Sequence, residues 1–349
     1  MTRKRTVAVL GATGTVGQRF VSLLAAHPWF SLVELTGSER SAGRPYGEAV
    51  NWHVGPGAPQ GVRDMVVRPT DPGLDAEIVF SALPAEEAAR VEEDFARAGH
   101  HVFSNARTHR LDPDVPLLVP EVNAPHAKVL GLQRARRKWS GSLITNPNCS
   151  TIHLVLALAP LQRRFGIDRL VVTTMQALSG AGYPGVASLD ALDNVVPFIE
   201  GEEEKMAAES RKILGDFDGA AFRDADFALS AHCNRVAVRD GHLETVSVAL
   251  RREATLPELL EAFASFRGPP QERELPTAPR CPIVVRSERD RPQPALDREV
   301  EGGMASVVGR VRKDPVLGWK FVVLGHNTIR GAAGASVLNA ELLVAEGLV

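Results

Sequence analysis

Cysteine is scarce. Cys149, Cys233 and Cys281 are the three in a chain of 349 residues, and they stand far apart. That spacing excludes a disulfide framework and a cysteine-built metal motif. Charge of one sign is also lacking: 40 Lys and Arg against 42 Asp and Glu leave a net −2. Such a balance exerts no global pull toward nucleic acid or an anionic membrane. No apolar run reaches the ~18 residues that a membrane-spanning helix needs. The start, Met1 to Arg5, leads into a strand pattern and not into a signal peptide. There is no internal repeat and no low-complexity linker. These absences predict a cytoplasmic protein with reduced thiols, acting on small molecules, with no nucleic-acid or membrane partner. What is present is a 44% hydrophobic, 23% charged composition that can bury real cores. The length suggests two domains.

Thr6 to Leu10 reads as a strand, Gly11-Ala12-Thr13-Gly14-Thr15-Val16-Gly17 as a turn, and Gln18 to Ala26 as an amphipathic helix. A glycine turn between strand and helix lets backbone approach a pyrophosphate, with helix N–H groups as donors. A second strand, Leu32 to Leu35, ends in Thr36-Gly37-Ser38-Glu39-Arg40-Ser41. Two hydroxyls and a guanidinium suit a ribose 2′-phosphate, which favours NADP; an inward Glu39 would admit NAD. Further strands are expected at Glu77–Ala82, His101–Asn105 and Pro116–Pro120, with a charged helix from Pro84 to Ala98. Strands alternating with helices imply a parallel, doubly wound sheet. Ligands bind at the carboxyl ends of such strands, which gathers Gly11–Gly17, Leu83, Asn105 and the Cys149 segment at one crevice. The basic run Arg134 to Lys138 reads as a solvated loop or helix face. Adjacent His100 and His101 would face opposite sides of a strand, so no metal is expected.

The segment Asn146-Pro147-Asn148-Cys149-Ser150-Thr151 precedes an apolar helical run, Ile152 to Leu161. A cysteine at a helix N-terminus has its thiolate favoured by the dipole, and nearby N–H groups can hold an oxyanion. Beyond it, Leu170–Leu178 reads as a long strand ending in the loop Ser179–Gly185, and Glu200–Lys205 opens a helix. Ala231–Arg239, Asp240-Gly241 and His242–Leu250 read as a hairpin. In that hairpin Arg239 would pair with His242, and Arg235, Ala237 and Arg239 would share its face. His and Arg on one face could flank a small anion. Strands at Ala305–Val311 and Lys320–Leu324 complete a mostly antiparallel sheet. The C-terminal Ala/Leu helix after Asn327 carries glycines suited to close backbone packing.

In order and spacing these stretches resemble aspartate-β-semialdehyde dehydrogenase, in the branch typical of archaea and fungi. The resemblance covers nearly the whole chain. It implies an α/β protein: a Rossmann-type doubly wound NADP domain, 1–148 with a returning helix 327–349, and an α+β catalytic and dimerisation domain, 149–326. The second would be glyceraldehyde-3-phosphate dehydrogenase-like, with a mostly antiparallel sheet. The implied reaction is NADPH-dependent reductive dephosphorylation of β-aspartyl phosphate through a cysteine thioester, in the lysine, threonine and methionine route. By resemblance Cys149 is the nucleophile, His242 the acid/base and Gln176 the substrate-orienting glutamine. Arg235 matches the substrate-carboxylate arginine, and Glu202 and Lys205 the substrate-amine and phosphate pair. The run of three glutamates leaves the acid's register open. Asn105 and Arg110 match the phosphate site, and Asn148 adjoins the nucleophile. Gly11, Thr13, Gly14, Thr15, Val16, Gly17, Ser38, Arg40, Ser41, Leu83, Ser179, Gly180 and Asn327 look like cofactor contacts. The partners implied are a small-molecule substrate, inorganic phosphate and a second or fourth copy of the chain.

Ala237, Leu243 and Ile152-His153 depart from the family's usual residues, which bears on the acyl substrate more than on the mechanism. Two other readings stand beside the first. One is a malonyl-CoA reductase on the same scaffold. The other is a catalytically silent NADP-binding sensor, against which Cys149, Gln176, Arg235 and His242 together argue.

Overall fold

The computed structural model describes residues 3–349; Met1 and Thr2, in the expected lead-in to the first strand, lie outside them. The first lobe runs β1 (Arg5–Leu10), α1 (Thr15–Leu24), β2 (Phe30–Gly37), β3 (Val67–Pro69), β4 (Ile78–Ser81), α2 (Ala85–Ala98), β5 (His101–Ser104), α3 (Val129–Arg137) and β6 (Ser142–Thr145). Its six strands order as β3-β2-β1-β4-β5-β6, all parallel. The order reverses between β1 and β4, and ligand crevices form at such a switch point. Helix α2 stops where Gly99 turns left-handed, φ 109°, as its sequence position suggests. The basic run lies on α3, where Arg137 is held by Glu93, Asp112 and Asp114.

Pro116–Pro120 is not a strand. Only Leu117 bridges, to Thr145, because the Asn123 side chain takes the Val119 N–H and the Leu117 carbonyl and the flanking prolines supply no N–H. The sheet's edge is β6, a strand that was not anticipated.

The second lobe runs α4 (Thr151–Phe165), β7 (Ile167–Gln176), α5 (Glu202–Leu214), a small ribbon of β8 (Asp216–Phe217) and β9 (Phe222–Arg223), then β10 (Ala228–Arg235) and β11 (His242–Leu250). It continues through α6 (Leu256–Ser265), β12 (Ile283–Arg286), β13 (Ser306–Asp314) and β14 (Gly318–Gly325) to α7 (Gly334–Ala345). The sheet order is β10-β7-β11-β14-β13-β12. Three central pairings are antiparallel and the two outer ones parallel.

The expected hairpin does not form. β10 and β11 each pair with β7, which lies between them. The chain after Arg235 leaves the sheet, and the N–H groups of Leu178 and Ser179 donate to the carbonyls of Val238 and Arg239. Those carbonyls are therefore spent on the loop after β7 and not on β11. Arg239 is 80% exposed in its side chain and lies at the cavity between the lobes, beside Thr15, Ser179 and Tyr183, not paired with His242.

Helix α4 is buried on nearly all sides, from Ile152 through Leu161, as expected of a helix apolar all round. It packs between the second sheet and α5 and α6, where each buried Leu or Val contributes about 2 kcal/mol. The last helix returns to the first lobe: Val337, Ala340 and Leu343 share a core with Phe20, Phe80 and Ile144. Between them Gly331 backs onto the nucleophile's loop. A Cβ there would lie 3.0 Å from Cys149 Cβ, so the sequence's small residues here serve close packing.

Candidate active site

Sheet register brings three residues into one row. Arg235 lies opposite Gln176, and the β11 pairing, with Leu243 opposite Met175, carries His242 to the other side of Gln176. Cross-strand neighbours share a face, and this face meets the start of α4. The expected sharing of a face by Arg235 and His242 therefore holds, through a third strand and not through a hairpin. His242 Nε2 lies 3.1 Å from Cys149 Sγ. Its Nδ1 accepts the Ala177 N–H at 3.0 Å, which assigns the neutral ring its proton at Nε2, toward the sulfur.

Cys149 stands two residues before α4. The Ser150 and Thr151 N–H groups are taken by Asn148 Oδ1, at 2.8 and 3.3 Å, so Asn148 caps this turn and those donors are not free for an oxyanion. Burial, with Glu202, pushes the thiol up to about 12, against the pull of Arg110 and Arg235. The helix start does not by itself yield a thiolate: desolvation of the charged sulfur outweighs it. Burial, then Arg235, likewise holds His242 well below the usual imidazole range. The resting pair is a thiol and a neutral imidazole.

Of the three glutamates, Glu202 is the one that turns to Asn148 and Gln176. Its Oε1 accepts from Asn148 Nδ2 at 2.7 Å and from Gln176 Nε2 at 3.2 Å. Glu203 turns instead to the Cys233 N–H, 3.0 Å, and Glu204 is exposed. Lys205 Nζ lies 3.6 Å from Glu202 Oε2 and donates to Glu200 O at 3.1 Å. Arg235 Nη1 donates to Ala177 O at 2.9 Å. Arg110 donates to Glu209 Oε1 at 2.9 Å and to Asn105 O at 2.8 Å. Asn105 and Asn146 are tied at 2.9 Å, and Ser336 of α7 closes on both.

Several of the expected cofactor residues, Thr13, Gly14, Thr15, Val16, Leu83 and Ser179, line the crevice between the lobes. Gly14 precedes the first turn of α1, whose N–H groups have no helical acceptor. A Cβ at Gly14 would meet nothing nearer than Gly11 O at 3.5 Å, in open space, whereas one at Gly17 would strike that oxygen at 2.2 Å. Bare backbone at the cleft and tight packing behind it fit a pyrophosphate. A cavity of about 560 Å³ is lined by Thr13, Gly14, Thr15, Val16, Leu83 and Pro84, and by Gly182 and Tyr183 of the other lobe. Ser38, Glu39 and Arg40 are exposed at the end of β2, and Ser41 Oγ donates to Ser38 O at 2.9 Å. Glu39 does not point inward. Asn327 Nδ2 holds Ser179 Oγ at 2.8 Å, and its Oδ1 accepts the Gly241 N–H at 2.9 Å. Gly180 roofs the row: a Cβ there would lie 2.8 Å from Arg235 Nη1 and 3.0 Å from the His242 ring.

Four contributors escaped the sequence reading. The Ala177 N–H that sets the His242 tautomer is backbone and has no residue signature. Glu244 is fully buried two residues beyond His242 with both oxygens unpartnered. Glu209 and Lys212 continue the Glu202 and Lys205 stripe of α5 by one further two-turn step, a spacing that could have found them.

A doubly wound nucleotide lobe joined to a mixed-sheet lobe that carries a Cys–His pair beside arginines is the make-up of a dinucleotide-dependent oxidoreductase. Known proteins narrow this class. The "Semialdehyde dehydrogenase, NAD binding domain" model matches residues 6–130 and the "Semialdehyde dehydrogenase, dimerisation domain" model residues 158–330. An aspartate-semialdehyde dehydrogenase of Archaeoglobus fulgidus is 52% identical over 98% of this chain and 99% of its own. A malonyl CoA reductase (NADP) of Metallosphaera sedula is 41% identical over 100% and 99%. The crystal structure of the Candida albicans aspartate semialdehyde dehydrogenase with NADP superposes with a TM-score of 0.91, at 41% identity over 99% of this chain and 100% of that one. The chain belongs to the aspartate-semialdehyde dehydrogenase family. No helix among the described residues is long and apolar enough to cross a membrane.

Proposed function

We propose that the chain catalyses NADPH-dependent reductive dephosphorylation of L-β-aspartyl phosphate to L-aspartate β-semialdehyde through a thioester on Cys149. The observation that carries the reading is the Cys149–His242 contact of 3.1 Å, set in one row with Gln176 and Arg235. Cys149 Sγ attacks the acyl phosphate carbonyl, its thiol proton passing to the phosphate oxygens as the C–O bond to phosphate breaks. Arg110 and Lys205 take the departing phosphate, leaving the thioester. The nicotinamide, when bound in the crevice, supplies a hydride. The Nε2–H of His242 is the donor beside the oxygen that gains charge, and His242 handles the proton there as the adduct collapses to aldehyde and cysteine. Gln176 orients the acyl group. Arg235 holds the substrate carboxylate, and Glu202 its ammonium, so the steps run as intramolecular ones. Ser38, Arg40 and Ser41 receive the 2′-phosphate. The lobes divide as 1–148 with 327–349 and 149–326, and the second pairs copies of the chain into a dimer or tetramer.

Glu202 separates this reading from malonyl-CoA reduction, since an α-ammonium is present in aspartyl phosphate and absent from malonyl-CoA. The test is NADPH formation at 340 nm from L-aspartate semialdehyde, NADP and phosphate, beside NAD, a phosphate-free control and Cys149→Ala. Signal that requires both phosphate and Cys149, with NADP binding retained in the variant, is expected. Turnover by Cys149→Ala removes Cys149 as nucleophile. A flat trace with semialdehyde but NADPH oxidation with malonyl-CoA moves the substrate to the thioester.

A further inference from the structure

Helix α5 carries two buried charged residues, Glu209 and Lys212, to which the mechanism above gives no part. Glu202, Lys205, Glu209 and Lys212 fall at i, i+3, i+7 and i+10, which places them on one stripe of the helix. Glu209 is 2% exposed and Lys212 5%. Ionised groups are buried at a cost unless they are paired and hydrogen-bonded, so their partners show what they serve. Glu209 spans two parts of the site. Its Oε1 accepts from Arg110 Nη1 at 2.9 Å, and its Oε2 accepts the backbone N–H of Asn148, the residue before the nucleophile, at 2.7 Å. Lys212 Nζ donates to the carbonyls of Arg110, Asp112 and Val115 at 2.8, 2.9 and 3.0 Å. The Lys212 ammonium also lies 4.5 Å from the Phe222 ring centre.

Arg110 is thereby clamped from three sides. One Nη is on Glu209, the other on Asn105 O, and its own carbonyl is on Lys212. Its Nε is buried and has no partner within the protein. A guanidinium held at both Nη atoms has its plane fixed, so the N–H groups it has left point in set directions.

We infer that Glu209 and Lys212 are positioning residues, which hold the Arg110 guanidinium in place for the departing phosphate and tie it to the nucleophile's loop. The inference rests on Arg110 being a phosphate contact. Neither residue touches substrate. A purely structural role, fastening α5 to the first lobe, would lower stability and weaken all substrates alike. A positioning role acts on phosphate selectively.

The experiment measures the phosphate-dependent reaction of L-aspartate semialdehyde with NADP by the full-length protein. KM for phosphate, KM for NADP, kcat and the melting temperature are recorded for wild type, Arg110→Ala, Glu209→Gln, Lys212→Met and Lys212→Arg. Glu209→Gln and Lys212→Met are expected to raise the phosphate KM by about tenfold or more, the weight of a charge-assisted hydrogen bond. KM for NADP stays as in wild type, and Lys212→Arg recovers part of the loss. Folded Glu209→Gln and Lys212→Met with an unchanged phosphate KM, while Arg110→Ala raises it, would overturn the inference. So would phosphate and NADP constants that shift together. If Lys212→Met fails to fold, Glu209→Gln and Lys212→Arg decide by the same criterion. A phosphate KM unmoved by Arg110→Ala overturns the reading of Arg110 itself, a different signature from failure at Glu209 alone.

Discussion

Acid should weaken this fold through its buried imidazoles, and His153 allows the effect to be measured one group at a time. His153 is fully buried in α4, with Nδ1 2.8 Å from Ser306 Oγ and Nε2 unpartnered. Burial, then Arg330, lowers its pKa to about 3. In the unfolded chain the ring titrates near the ordinary value of about 6.5. A base whose folded pKa is depressed contributes full stability above the unfolded value and loses it as pH falls toward the folded one. At about pH 5 the unfolded ring is protonated and the folded ring is not, a gap of about 1.5 pH units, or about 2 kcal/mol. That is a large share of a typical stability of about 5–15 kcal/mol. His326, lowered to about 4 by burial and Arg19, and His242 act with the same sign. The assay is urea unfolding at about pH 7.5 and about pH 5 for wild type and His153→Gln, since the linear extrapolation reports each stability. The variant should be less stable at the higher pH, yet lose about 2 kcal/mol less on acidification. An identical loss in both proteins would refute the reasoning, because His153 would then bind the same number of protons folded and unfolded.

The remaining expectations follow the same physics. Burial, then Glu202, raises Glu244 well above the ordinary carboxyl range, so the folded state keeps a proton that the unfolded state releases. Stability is then lost as pH rises above the unfolded value, and Glu244→Gln should raise the urea midpoint at alkaline pH, with the gain shrinking toward pH 5; an unchanged difference across that range counts against it. The Arg330–Glu121 pair has 0% exposure on both sides and links α7's lead-in to the first lobe. Arg330→Met should cost about 3–5 kcal/mol in urea unfolding by stranding a buried carboxylate, and the double variant Arg330→Met with Glu121→Leu should recover much of it. A Cβ on Gly325 would lie 1.8 Å from the His153 ring. Gly325→Ala should therefore cost about 1–3 kcal/mol in wild type and less beside His153→Ala, a coupling that a double-mutant cycle reads directly.

Local signals in this chain were enough for many of its elements, though not for β3, β6 or β12. The strand-to-helix turn Gly11–Gly17 is legible because glycine at close approach is a steric demand made within a few residues. Cys149 before an apolar helix, Gly99 ending α2, and the strands β7, β11, β13 and β14 are legible for the same reason: periodicity and turn chemistry act over short separations. Which of Glu202, Glu203 and Glu204 turns toward Gln176 was not, since three neighbours on a helix point in three directions and only the packed loop of Asn148 selects one. The order of the second sheet was not either. Asp240-Gly241 has the form of a hairpin turn, yet β7 intervenes, because the loop after β7 satisfies the carbonyls of Val238 and Arg239 and long-range pairing outweighs a local turn preference. Pro116–Pro120 is apolar enough for a strand, but the Asn123 side chain takes the backbone groups that would extend it. The pKa of Cys149 was beyond reach as well: its helix is written in the sequence, but the desolvation that overrides the helix dipole is a property of everything packed around the sulfur. The sequence determined which residues could do this chemistry; the tertiary structure decided their neighbours, since burial, register and partner choice are set by residues distant in the chain.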